Sequence, residues 1–79
     1  MKPLSHTSRP RLPILKPDGV ELRVDWWGVE LGMSVFFPAI RTDLLIAALR
    51  TIAELTGYEL VWRERVEGGK LGVRVWRIA

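Results

Sequence analysis

With 79 residues, this chain is one small domain, of a size at which folding covers only about 60% of the surface that the unfolded chain exposes. It has no cysteine, which excludes a disulfide framework and thiolate metal sites and leaves stability to apolar packing. The longest unbroken apolar run, residues 44–49, is far short of the roughly 20 residues of a spanning helix, and the N-terminus lacks the apolar stretch of a signal peptide. The expectation is a soluble cytoplasmic chain with no membrane partner.

Asparagine and glutamine are absent as well, which suits heat adaptation, but arginine outnumbers lysine 9 to 3. The hyperthermophile signal is lysine and glutamate enrichment, so GC-rich coding explains the composition better. The net charge of +3 is uneven along the chain. Residues 1–18 carry Lys2, Arg9, Arg11 and Lys16 against Asp18, whereas residues 19–79 hold eight basic and eight acidic side chains. A basic arm therefore precedes a balanced body, and any charge sorting in that body has to come from its strands.

In chain order, residues 1–18 contain Pro3, Pro10, Pro13 and Pro17 among serine and threonine, which rules out a helix or a central strand. They read as an extended basic arm, either loosely packed or reaching a phosphate backbone through Arg9, Arg11 and Lys16, with Leu12, Ile14 and Leu15 tacking its end to the body. Residues 20–26 alternate Val20, Leu22, Val24 and Trp26 against Glu21, Arg23 and Asp25, the pattern of a half-buried antiparallel strand. A second alternating stretch follows and ends at Pro38, with the turn either at Trp27-Gly28 or around Gly32. Trp27 and Phe36 have the opposite parity, which predicts one or both of them on the sheet face away from the helix.

Thr42 and Asp43 mark a helix start, the hydroxyl as cap and the carboxylate in the first turn. Leu45, Leu49 and Ile52 form the apolar stripe, Ile46 falls near the polar side, and Gly57 is placed to end the helix in a left-handed conformation. From Leu60 to Ile78, two alternating stretches flank Gly68-Gly69, a pair suited to a two-residue primed turn, and predict a β-hairpin. A two-residue turn sets 66 against 71, 64 against 73, 63 against 74 and 61 against 76. The predicted fold is α+β: a four-stranded, mostly antiparallel ββαββ sheet over 19–79, with the helix on one face and strand order open.

Enzyme chemistry lacks its parts. His6 is the only histidine, there is no cysteine, and the carboxylates show no spacing that pairs two of them in a cleft. No catalytic residue, metal site or cofactor is expected. Glu64 shares a face with Trp62 and Val66, and a sheet-edge position or a pairing with an arginine such as Arg77 accounts for it. The 68–72 segment lacks the spacing, the Ser/Thr and the following helix of a phosphate-binding loop.

What remains is the sheet face away from the helix, predicted to gather Arg63, Arg65, Arg74 and Trp76, joined by Arg23 and Trp27. Arg63 directly opposite Arg74 costs stability, which hints at a use outside folding. Arginine forks onto phosphates and tryptophan stacks on bases, so this face suits nucleic acid, single-stranded above all. The competing readings are an open face solubilised by Arg–Glu pairs, and a protein contact, since Trp and Arg also dominate protein hot spots. An open sheet edge adds a route to a homodimer.

The segment Gly32-Met-Ser34-Val-Phe-Phe-Pro38, then a helix, Gly57-Tyr58 and Gly72-Val-Arg-Val-Trp-Arg-Ile78, resembles short phage and prophage proteins with a G-x-S-F-F-x-P segment and a C-terminal R-V-W-R. The likeness covers about the last two-thirds of the chain, and Val35 replaces the first aromatic of the usual pair. The resemblance implies a viral origin and a small accessory role in the cytoplasm of a bacterial host. One such role is to occupy a site on host or defence machinery, as an anti-CRISPR-type inhibitor does.

Overall fold

The computed structural model describes residues 10–79. Three strands and one helix follow a short 3₁₀ turn at Trp26–Gly28: β1 (Ser34–Pro38), α1 (Thr42–Thr56), β2 (Leu60–Glu67) and β3 (Lys70–Arg77). The protein is α+β, with a three-stranded antiparallel sheet in the order β1-β3-β2. β3 is central, and α1 carries the chain across from β1 to the far edge. That crossover sets β1 and β2 running the same way on either side of an antiparallel β3.

The hairpin forms as its glycines require. Gly68 and Gly69 both have positive φ, 58° and 77°, the left-handed pair of a primed two-residue turn. The register is then the expected one, with Val66 opposite Leu71, Glu64 opposite Val73, Arg63 opposite Arg74 and Val61 opposite Trp76. Gly72 serves a different need. A Cβ there would lie 2.2 Å from the backbone oxygen of Phe37 and 2.7 Å from the Phe36 ring, so only glycine admits β1 at this distance.

The helix buries Leu45, Leu49 and Ile52 completely against Val73, Val75 and Phe37. At its C-terminus Gly57 adopts φ 78° and donates its N–H to Ala53 C=O, the expected left-handed stop. Its N-terminus departs from expectation. Thr42 lies inside the helix and its hydroxyl donates to Glu64 on β2, so it caps nothing. Just ahead of the helix, the N–H groups of Ile40 and Arg41 donate to the two carboxylate oxygens of Asp18, at 2.8 and 2.9 Å. Those bonds hold the Asp18 carboxyl below its usual range and tie the N-terminal segment to the helix start.

The expected first strand over 20–26 does not form. Among the described residues, that segment makes one isolated antiparallel bridge, Leu22 to Leu15, and ends in the 3₁₀ turn. Its parity is nevertheless the predicted one: Leu22 and Val24 pack against the core, and Trp26 is 4% exposed with its ring 5.7 Å from that of Phe37. The turn before β1 comes at Glu30–Met33, with Gly32 at φ 87°, so the strand begins at Ser34. Pro38 blunts the outer edge of β1 at its end. The bond from Ala39 N–H to Leu71 C=O sets odd positions of β1 toward β3, which leaves 34, 36 and 38 facing outward, and proline has no N–H to offer there.

For the expected arm, Arg9 lies outside the described residues. Within them, Leu15 is fully buried, Leu12 packs on the core and Ile14 is exposed, while Asp18 anchors the segment's end.

Candidate binding face

The face of the sheet opposite α1 is built by alternation alone. Val73 and Val75 turn into the core, so the register places Lys70, Gly72, Arg74 and Trp76 of β3 on the other side. Val61, Arg63, Arg65 and Glu67 join them from β2, and Ser34, Phe36 and Pro38 from β1. Four cations and one carboxylate share this surface. The rest of the described chain then carries six basic against eight acidic side chains, so charge is sorted by face in a body that is almost neutral.

Arg74 is held at the centre. Its Nε and Nη2 donate to the two oxygens of Glu67, both at 2.7 Å, and its Nη1 donates to Ser34 Oγ at 2.8 Å. This bidentate bond reaches along the sheet past Gly72, which has no side chain to block it. The guanidinium lies 5.9 Å from the centre of the Phe36 ring. Hydrogen bonding to Arg74 keeps the Glu67 carboxyl below its ordinary value, aided by the Arg74 and Arg65 charges, and the same bond raises Arg74. Arg65 approaches the same carboxylate at 3.5 Å. Arg63 has no hydrogen-bond or ion-pair partner among the described residues, and Lys70 none either. The register explains how Arg63 tolerates an arginine opposite it: Glu67 neutralises Arg74.

Arg63, Arg65, Arg74 and Trp76 therefore meet on one face, as predicted, with Trp76 half-buried between Ser34 and Val61. The other candidates do not join them. Trp27 packs edge-on against Tyr58, 6.2 Å between ring centres, where the Arg77 guanidinium covers Tyr58 at 3.6 Å. Arg23 is highly exposed and reaches Glu21 at 3.7 Å. Arg11 and Lys16 are exposed on the N-terminal segment. Glu64 pairs with Thr42 rather than with an arginine, and Arg77 donates to Val29 and Ala79 backbone oxygens.

Sequence reasoning gave Glu67 no part in the face. Its parity with Arg63 and Arg65, immediately before the turn glycines, was the available signal. Ser34 had none, because its contact with Arg74 depends on β1 lying beside β3. Among the described residues, no three His, Cys, Asp or Glu side chains come together as metal ligands would, and no helix is long and apolar enough to cross a membrane. Comparison with protein-family models, with curated proteins and with solved structures finds no match for this chain.

Proposed function

We propose that this protein is a non-catalytic binding module that engages single-stranded nucleic acid on its open sheet face, in the small accessory role that the viral resemblance implies. The observation that carries this reading is the sorting of charge: among the described residues, Arg63, Arg65, Lys70 and Arg74 share one sheet face with a single carboxylate. Phosphates meet Arg63, unpaired among the described residues, first, then Arg65 and Lys70. Phe36 and Trp76 lie between the cations and offer ring surface to bases. Arg74 has a different part, since Glu67 neutralises its charge through a bidentate bond and a third N–H goes to Ser34, and it positions Phe36 rather than contacting phosphate.

The test is fluorescence anisotropy of labelled single-stranded and duplex oligonucleotides at two salt concentrations. Single strands are expected to bind more tightly, with affinity falling steeply as salt rises. Arg63→Ala/Arg65→Ala is expected to flatten the slope of log K against log salt by about 1.4, for two lost phosphate contacts at about 0.7 each. No binding at low salt would defeat the reading and leave a host or defence protein as the partner to seek.

A further inference from the structure

The sheet has two outer edges, and they differ. In a two-residue hairpin the residues flanking the turn, Glu67 and Lys70, close it as a hydrogen-bonded pair, and such pairs recur at every second position. Arg65, Arg63 and Val61 are then bonded to β3, and the bond from Ile78 N–H to Glu59 C=O continues the same parity. The backbone groups of Trp62, Glu64 and Val66 point outward, and no backbone hydrogen bond from elsewhere in the described residues reaches them. β1 offers outward donors only at Ser34 and Phe36, because Pro38 has none. β2 is eight residues long, with no proline to blunt it.

The side chains along β2 state what chemistry fits there. On the open face stand Arg63 and Arg65, the first unpaired among the described residues and the second only loosely engaged. On the helix side stand Trp62, half-buried under Arg50, and Val66, 67% exposed. Glu64 between them is tied to Thr42. A second copy of β2 matches this edge poorly. A two-fold axis centred on residue 63 or 64, the registers that pair seven residues, sets Arg63 against Arg63 or Arg65 of the other copy, and like charges directly opposite destabilise.

We propose that the outer edge of β2 is a peptide-binding site that takes an extended acidic segment of another protein as a fourth strand. Acidic side chains of that segment lie beside Arg63 and Arg65, and its alternate apolar side chains lie beside Trp62 and Val66. Main-chain bonds to Trp62, Glu64 and Val66 supply affinity, and the two rows of side chains supply selectivity. This site goes beyond the nucleic-acid reading. It uses backbone groups that reading does not need.

The probe is a fluorescein-labelled octapeptide of alternating glutamate and valine, titrated into the full chain, with alternating lysine and valine as control. The glutamate peptide is expected to bind and the lysine peptide not. Amide hydrogen exchange followed by NMR is expected to show Trp62, Glu64 and Val66 exchanging fast in the free protein and at least 100-fold slower with saturating peptide. Arg63 and Arg65 amides are expected to stay slow throughout. Val66→Pro removes an outward N–H without touching the bonds to β3 and is expected to weaken the peptide at least tenfold. Binding without new protection at these three amides would overturn the proposal, as would no binding. So would protection already present in the free protein and lost on dilution, which marks a second copy, or protection conferred by an oligonucleotide alone.

Discussion

Residues 20–26 alternate apolar and polar side chains without a break, more strictly than β3, where Gly72 and Trp76 stand at polar-parity positions, yet only β3 is a strand. Both keep the parity beyond Val20, which is exposed: Leu22 and Val24 pack against the core and Trp26 is buried in it, on the side that Val73 and Val75 take in β3. What separates them is a partner. β3 is joined to β2 by two glycines that permit a primed turn, and it accepts β1 along its other side. Among the described residues, 20–26 find only Leu15 across one bridge, and the outer edge of β1 ends in a proline. Alternation therefore reports which side chains are buried. Whether the backbone is paired is a separate matter.

The contrast breaks most sharply at Trp26. If the N-terminal segment is held by side chains alone, Trp26→Ala is expected to cost about 3–5 kcal/mol in denaturant unfolding, as much as a core strand residue would. A loss below 1 kcal/mol would mean that the segment is dispensable. Gly72→Ala is expected to cost about 3 kcal/mol, near the upper end for overpacking, because the added methyl meets β1 backbone that a rotamer change cannot relieve. Gly69→Ala is expected to cost about 1–2 kcal/mol, the penalty of a left-handed residue with a Cβ, while leaving residues 20–26 unchanged by NMR.

Acid tests the ties rather than the core. Asp18, Asp43 and Glu67 all have carboxyls lowered by their partners: backbone N–H groups for Asp18, and the Arg41 and Arg74 guanidiniums for the other two. A lowered folded value means that the unfolded chain takes up protons first. These contributions are thus complete above about pH 4–5, the ordinary range, and are lost as pH falls through the lowered values. Thermal melts from pH 6 to pH 2 are expected to show that decline, and Asp18→Asn to make it shallower. At the small end, Val20→Thr is expected to change stability by less than about 0.5 kcal/mol, since Val20 is 69% exposed and belongs to no ladder. A larger loss would show that Val20 is engaged.

The hairpin was legible because all its determinants are local: two glycines, a flanking alternation, and a register that a two-residue turn leaves no freedom to change. The helix stripe and its Gly57 stop were legible for the same reason. The start of the helix was not. Thr42 has the chemistry of a cap, but its hydroxyl goes to Glu64, and the residues just ahead of the helix, Ile40 and Arg41, are held by the Asp18 carboxylate, 22 and 23 residues upstream of them. At the binding face, parity alone gathered Arg63, Arg65, Arg74 and Trp76. It gave no warning that Glu67 would neutralise Arg74, or that Trp27 would lie against Tyr58 instead.

The sequence by itself determined the α+β class, the turn, the register of β2 with β3 and the face on which each hairpin side chain stands, since periodicity and glycine conformation act within a few residues. Only the tertiary structure decided that the sheet has three strands, with β3 between β1 and β2, and which of the clustered arginines are free. Those outcomes depend on backbone edges and charges distant in sequence, and their pairing is settled when the chain packs.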